Sequence, residues 1–524
     1  MASEQKSKVA VLKTPQDEEI TISYQDALGT LRHDRHMKRA ILGIPFPVVY
    51  FCLFVAMLFQ HVPTESLYQQ AFSVSSVLDS TGTDASTTDT TMKYENIQTI
   101  SDVFDWLTNT FVPNVFITTD YNNDTLTQDK WGRIAMFNKV LGAVNLETTT
   151  AKIHPCQAQP FLTTLYPQCY DAANVNTSNV LISFDTSAYE ATDVIARLKA
   201  RGDWLDFATQ QLVITVVTYN GELQGYTVSK LQLDFHQGGY IELSSTITPT
   251  ISDPYKKTAA ITLDVLVGIC FLATILDPAW HFVKAIRQDG RHFLRKIESW
   301  GLVDLCSTGF VAAFYGLWFS MVAMMYTKEF RENLARLVVS GKTFDANSDE
   351  RLGLLAVTDA LEEVANITIA MRLLAMLSVF ALGAQILTQF RFHPRLNILT
   401  RTIANALHQF AAFFVVFIVI FMTFSVSGMV LFGDRVEDFS TLPRTFEACI
   451  NMLFGNFDYS IIRNLQAPVG MLYYWAYMVV VCLVLLNMML AIVLDSYAEV
   501  TEQSAKIKRS ASFRRTLENI INTA

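Results

Sequence analysis

The stretch TLPRTFEACINMLFGNFDYS, residues 441–460, decides how this sequence is organised. A proline near its start predicts a short helix over Thr441–Leu453, and Phe454-Gly-Asn-Phe-Asp458 predicts a loop. This helix is too short to cross a bilayer, which takes about 20 apolar residues. Long apolar segments flank it, at Phe410–Phe432 and Met471–Leu494. The layout is that of a re-entrant pore loop, and an ordinary loop with an amphipathic helix is the alternative.

Four further segments are apolar and long enough to span a membrane, which makes six in total. The long polar block 61–257, between the first and second segments, cannot span. The four further segments are Ala40–Gln60, Ala259–His281, Trp300–Met325 and Ile367–Phe390.

Lysine and arginine clusters indicate the orientation of the six helices. They precede the first helix and follow the second, fourth and sixth, so that all four clusters fall on one side. By the positive-inside rule this side is the cytosol. We therefore expect both termini in the cytosol, and block 61–257 and loop 327–365 outside or in a lumen. The expected location is the plasma or ciliary membrane, or an endomembrane.

Block 61–257 holds most of the acidity of the chain. It contains 21 Asp and Glu against 11 Lys and Arg, whereas the whole chain has a net charge of −9. Its pattern predicts an independently folded α+β domain. The predicted helices are Ile100–Phe111 and Ser187–Ala200, and the predicted strands are Gln211–Tyr219, Thr227–Phe235 and Tyr240–Ile247.

Cysteines and glycosylation signals agree with this topology. Cys156 and Cys169 are the only cysteines of the block, both in loop-like sequence, and we expect a disulfide, with two free thiols as the alternative. Sequons at Asn123, Asn176 and Asn366 all fall on the outer side.

Composition and motifs exclude several functions. A chain with 51% hydrophobic residues and a net charge of −9 is neither disordered nor a general nucleic-acid binder. The sequence contains no His-Glu-x-x-His motif, phosphate-binding glycine loop or nucleophile elbow, and its histidines lack ligand spacing. We therefore expect neither an enzyme nor a metal site, and no cofactor apart from permeant cations.

Three stretches carry a family resemblance. They are LKARGDWLDFATQQLVITVVTYN (198–220), FGNFDYSII (454–462) and LLNMMLAIVLDSYAEV (485–500). The chain resembles the polycystin-2-type channels of the transient-receptor-potential superfamily from about residue 38 to 500. The spacing of Cys156 and Cys169 also matches the disulfide of that family.

The resemblance implies a voltage-sensor-like bundle of four helices, a pore domain and a polycystin domain that forms a lid. It implies a homotetrameric, non-selective cation channel in membrane lipid, with Ca²⁺ as a candidate permeant ion and a large polycystin-1-like protein as a candidate partner. The alternative is a non-conducting or partner-dependent subunit with a sensor role. The expected segments are an N-terminal cytosolic segment (1–39), the first helix (40–60), the polycystin domain (61–257), helices two to four (258–390), a linker (391–408), the pore domain (409–494) and a short cytosolic tail (495–524).

The resemblance places the selectivity filter at Phe454, Gly455 and Asn456. The acidic filter residue of the family corresponds to Asn456, so its charge is missing here. Asp458 lies two positions later, and four such carboxylates would form a ring at the pore mouth. A helix cap or a salt bridge to Arg463 is the alternative role of Asp458.

The resemblance also places the lower gate at Leu490 and Leu494, although the family has asparagine at the second position. Leucines at i and i+4 share a helix face and could close a pore by dewetting, and ordinary packing is the alternative. Asn487 is expected to bond a neighbouring helix.

The fourth helix departs from the voltage-sensor pattern, because the basic family positions correspond to Gln385 and Thr388. Arg372 remains, with Asp304 as a candidate counter-charge, and a structural ion pair is the favoured interpretation of Arg372. We therefore expect a flat conductance–voltage curve.

Overall fold

The computed structural model describes residues 9–12, 20–23, 43–79, 92–120, 122, 124–156, 160–289, 299–337, 344, 348–389, 394–463 and 467–505. Within these ranges six helices are long and apolar enough to cross a membrane, which confirms the number predicted. The chain divides into two compact units. One is built on Tyr50–Leu382, and the other includes the last two apolar helices.

The N-terminal region contains two short strands and two helices in succession. The strands pair in antiparallel fashion. The two helices are separated by Val62 and Pro63, because proline supplies no N–H for the α-helical ladder. These elements are β1 (Val9–Leu12), β2 (Ile20–Ser23), α1 (Pro45–His61) and α2 (Thr64–Leu78).

The block between the first two apolar helices forms an α+β domain, as predicted, and is called the inserted domain below. Its elements after α2 are α3 (Ile100–Trp106), α4 (Val112–Val115), β3 (Arg133–Ile134), β4 (Asn138–Val140), β5 (Ala143–Pro155), α5 (Pro160–Thr163), β6 (Gln168–Ser183), α6 (Ala188–Arg201), β7 (Thr209–Asn220), β8 (Gly225–Phe235) and β9 (Ile241–Ile251).

The strands form one antiparallel sheet whose long members lie in the order β6-β5-β7-β8-β9. Strands β7 and β8 contain two of the predicted strands, and β9 contains the third except for its first residue, Tyr240. Strands β5 and β6 escaped prediction because about half of their residues are polar and interrupt the apolar pattern. Such strands are stabilised by cross-strand pairing rather than by an apolar pattern.

The disulfide between Cys156 and Cys169 forms as expected and closes the hairpin between β5 and β6. We inferred that both cysteines lie in loops, whereas the structure places them beside or inside strands. Cys156 directly follows β5, and Cys169 lies inside β6, opposite His154. The bond therefore joins two paired strands and not two free loops.

Strand β7 is buried on both faces, which explains its continuous apolar run. Leu212 and Ile214 face a core formed with α3 and α6, and Val217 faces a second core. This second core also contains Val357 and Leu361 from the fourth apolar helix. The sheet is therefore held between its own helices and the bundle of apolar helices.

The remaining elements include the other apolar helices. Residues 328–337 and 349–366, which we predicted as loop, are helical, and the fourth apolar helix begins at Asp349 instead of Ile367. The elements are α7 (Thr258–Asp289), α8 (Ser299–Met325), α9 (Lys328–Leu337), α10 (Asp349–Gln389), α11 (Pro394–Phe432), α12 (Leu442–Leu453), α13 (Tyr459–Arg463), α14 (Ala467–Tyr477) and α15 (Leu486–Ala505).

The first half of α10 is helical because it has a partner, the inserted domain. Lys230 Nζ donates to Glu362 Oε2 at 2.6 Å, and Arg351 donates to the carbonyl of Asn179 at 3.1 Å. Gly142, between β4 and β5, has a φ of +69° and faces the side chain of Leu354. A Cβ at Gly142 would lie 2.5 Å from Leu354 Cδ1.

Gly142→Ala should therefore lower the apparent unfolding temperature of the protein in detergent micelles. The substitution adds backbone strain in the left-handed region, about 1 kcal/mol. It also crowds two buried leucines, which costs about 1–3 kcal/mol more.

Gly202→Ala is the matched control, because Gly202 has a φ of +73° but no atom within 4 Å of a Cβ. It carries the backbone strain alone. Equal losses of stability for the two variants would contradict the docking of the inserted domain on α10.

Candidate ion pathway

The segment between α11 and α14 folds as a short helix followed by a tight loop. Thr441 is extended and precedes α12, and Pro443 occupies the first turn, where its missing N–H is not needed. The Thr445 hydroxyl donates to the carbonyl of Thr441 at 2.8 Å. The helix ends before Phe454. Its bounds agree with the helix expected from the sequence to within one residue.

The backbone N–H groups of the loop after α12, residues 454–456, donate hydrogen bonds to carbonyls of α12. The carbonyls of these three residues accept none from the residues that the structure describes. The N–H of Phe454 donates to Ile450, that of Gly455 to Met452, and that of Asn456 to Asn451. Between described residues, no hydrogen bond uses the carbonyl oxygens of residues 454–456. Gly455 has a φ of +75° with open space around it, so the backbone conformation requires the glycine. Unengaged, exposed carbonyls of this kind are suitable ligands for a cation.

A cluster of aromatic side chains braces α12 against the flanking helices. The Tyr477 hydroxyl donates to the carbonyl of Cys449 at 2.7 Å, and the Tyr473 hydroxyl donates to the carbonyl of Phe424 at 3.0 Å. Tyr477 is fully buried, and Phe424 packs edge-on against its ring. The short helix is therefore tied to the helix that follows the loop.

Asp458 acts as the cap of α13. Its carboxylate accepts the Ser460 N–H at 2.9 Å and the Ser460 hydroxyl at 2.8 Å. These bonds, that from the backbone N–H above all, lower the pKa of the exposed Asp458 carboxyl, and Arg463 adds to this. The capping alternative is therefore present in the structure. A carboxylate held in this way also stays ionised at neutral pH, so its charge is available at the same place.

A polar cavity of about 320 Å³ opens beside the loop. Arg444 donates to Glu437 there at 2.9 Å. The other acidic side chains that line the cavity with Asp458 and Asn456 are Asp438 and Glu447.

The last apolar helix is not uniform. Between α14 and α15, residues Met478–Leu485 form a π-helix, which no sequence signal indicated. Asn487 donates to the carbonyl of Leu483 at 2.6 Å in its own helix, and not to a neighbouring helix as expected. Leu490 and Leu494 follow on α15, both more than half exposed on one helix face.

The structure separates Arg372, on the fourth apolar helix, from its candidate counter-charge Asp304, on the third. Arg372 donates to the carbonyl of Pro249, in β9, at 3.4 Å, and among described residues no carboxylate forms an ion pair with it. Arg372 therefore lies at the end of the bundle that carries the inserted domain. Asp304 lies near the other end of α8, about 30 Å from Met325 along the axis.

The three sequons lie in different settings. Asn176 is exposed on β6, and Asn366 is exposed on α10. Asn123 lies outside the described residues.

The comparison with known families decides the classification. Residues 358–500 match the family model described as polycystin cation channel. The chain is therefore similar to the polycystin-2-type channels. Polycystin-2 of Caenorhabditis elegans is 22% identical over 93% of this chain, and polycystin-2-like protein 1 of Homo sapiens is 23% identical over 80%. Polycystin-2 of Danio rerio is 22% identical over 61%.

The chain spans 70% of the nematode relative, 53% of the human one and 33% of the zebrafish one. The matched segment contains α11, the loop residues 454–456 and most of the last apolar helix. The six apolar helices and the match to an ion-channel family model support a multi-pass integral membrane protein. The matched family is one of ion channels and not of enzymes.

Tyr477→Phe tests the bracing of the loop. Removing this buried hydroxyl deletes the bond to Cys449 and should cost about 1 kcal/mol, seen as a lower apparent unfolding temperature in detergent. Tyr474→Phe is the control, because the Tyr474 hydroxyl forms no hydrogen bond to any residue that the structure describes. Equal stability of the two variants would show that the bond does not hold α12.

Proposed function

We propose that four copies of this chain form a cation channel whose filter is the loop Phe454-Gly455-Asn456. The supporting observation is the way in which that loop uses its backbone hydrogen-bonding groups. Its N–H groups are bonded back to α12, and its carbonyls are exposed and unengaged. One such loop cannot enclose a pore, whereas four around an axis can present rings of carbonyls to an ion.

The proposed selectivity is for cations over anions, with little discrimination among cations. The Asn456 amides supply no charge to the filter. Negative charge lies instead around the mouth, at Asp458 and its acidic neighbours, and on the inserted domain, whose block carries 21 acidic and 11 basic residues. Such a field concentrates cations without selecting one, and Ca²⁺ is therefore included among the proposed permeant ions.

We propose that the inserted domain lies on the outer or luminal side of the membrane. The disulfide supports this orientation, because such bonds persist outside the cytosol. In this orientation the exposed Asn176 and Asn366 are the proposed glycan acceptors.

Two substitutions at Asp458 separate its charge from its cap. Asn is as good a helix cap as Asp, so Asp458→Asn removes only the charge, whereas Asp458→Ala removes both. Purified protein in planar bilayers is the assay. We expect Asp458→Asn to reduce single-channel conductance and the permeability of divalent relative to monovalent cations.

A wild-type conductance in Asp458→Asn, with a loss only in Asp458→Ala, would show that Asp458 acts as a cap alone. No current from wild-type protein under any condition would favour the second candidate, a partner-dependent subunit. The missing filter charge at Asn456 is the observation behind that candidate.

Leu494→Asn tests the proposed gate at Leu490 and Leu494. A polar side chain in the gate ring would keep the constriction wet, so the basal open probability should rise. Met488→Asn is the control, because Met488 lies about 160° around the helix from Leu490 and is equally exposed. A similar rise in both variants, or in neither, would contradict the gate assignment.

A further inference from the structure

The polar cavity beside the loop after α12 contains one positive charge among several negative ones. Four carboxylates line it, those of Glu437, Asp438, Glu447 and Asp458. Arg444 is the single basic side chain among the described residues that line this cavity. The side chain of Asn456, from the proposed filter, belongs to the same lining. The formal charge of the lining is therefore −3, and Arg444 decides how negative it is.

Arg444 occupies an unusual position for a cation. Thr441 precedes α12, so that Arg444 is the third residue of the helix. The N-terminal end of a helix carries partial positive charge, and an acidic or amide side chain is the usual choice at this position. An arginine here opposes the helix dipole. Departures of this kind from local preference are expected at functional sites.

The guanidinium of Arg444 has a partner whose own position is fixed. Its Nη1 donates to Oε1 of Glu437 at 2.9 Å. Glu437 begins a single 3₁₀ turn whose last residue, Phe439, is fully buried. The ring of Phe439 packs edge-on against Phe432 and Tyr473, so the turn is anchored to both flanking helices. The positive charge is thereby kept at the wall of the cavity.

Stability does not explain this ion pair. The side chains of Arg444 and Glu437 are 40% and 81% exposed. An exposed ion pair contributes little to stability, because water screens both charges. The field of the arginine nevertheless acts on any ion that enters the cavity, since a field extends about 10 Å at an ionic strength of about 0.1 M. The pair is therefore suited to act on ions rather than on the fold.

We propose that Arg444 limits the accumulation of divalent cations at the pore mouth and so keeps the discrimination between Ca²⁺ and monovalent cations low. A fixed positive charge repels a divalent ion with twice the energy that it has for a monovalent one. Glu437 holds Arg444 in place and adds an opposing charge. This inference rests on the proposed function, because it concerns ions that pass the loop of residues 454–456.

The test is the permeability of Ca²⁺ relative to K⁺ in planar bilayers that contain the purified full chain. Arg444→Gln removes the positive charge and keeps a side chain that can donate to Glu437. We expect the permeability ratio to rise about two- to threefold at an ionic strength of about 0.1 M. Glu437→Gln removes a negative charge and should lower the ratio. The double variant has the wild-type net charge and should restore most of the ratio.

Arg435→Gln is the matched control. Arg435 also pairs with a carboxylate, that of Asp434 at 3.4 Å, and its side chain is 48% exposed, but it does not line the cavity. This variant should keep the wild-type ratio. The effect of Arg444→Gln should also shrink at an ionic strength of about 1 M, because screening then shortens the field to about 3 Å.

An unchanged ratio in Arg444→Gln would overturn the inference, and so would an equal rise in Arg435→Gln. A double variant that departs further from the wild type than either single variant would also overturn it, because structural damage and not charge would then be the cause. Failure of the wider proposal has a different signature. Absence of current from the wild type and every variant would overturn the channel and this inference together.

Discussion

Every backbone N–H and C=O group inside a bilayer needs a partner within the protein, because no water reaches it. Six apolar helices meet this requirement internally. The loop after α12, which we propose to lie at membrane depth, would meet this requirement only in part. Its N–H groups bond back to the preceding helix, while the carbonyls of Phe454, Gly455 and Asn456 stay open. A segment of this kind is tolerated only where something polar, such as water or an ion, replaces the missing partner.

The inserted domain depends on burial at both faces of its sheet. One face is covered by α3 and α6, and the other packs on α8 and α10 through Val217 and Val228. Because α10 has this partner, it continues as one helix from the docking surface to Gln389. The inserted domain therefore contacts a helix that is also long and apolar enough to cross a membrane. The ion pair between Lys230 and Glu362 lies at this junction.

Two charged side chains of the apolar helices have partners at the end of the bundle that carries the inserted domain. Arg372 reaches a carbonyl of the inserted domain, and Asp264 is paired with His61 at the same end. Buried charge is costly unless it is paired, so such groups sit where a carbonyl, a hydroxyl or a second charge is at hand. The acidic groups around Asp458 lie outside the spans, where solvent supports them. The fourth apolar helix contains two basic residues, Arg351 and Arg372, and each donates to a backbone carbonyl of the inserted domain.

The sequence alone determined the elements whose pattern is local. The six spans, α12 and strands β7 to β9 all follow from hydropathy, residue type or proline position over a short window. Only the tertiary structure decided β5 and β6, α9, the first half of α10 and the π-helix at Met478–Leu485. These elements are stabilised by strands and helices that are distant in sequence, so no short window contains their cause. The partners of Arg372 and His61 belong to the same class, because a side chain binds whatever the fold brings beside it.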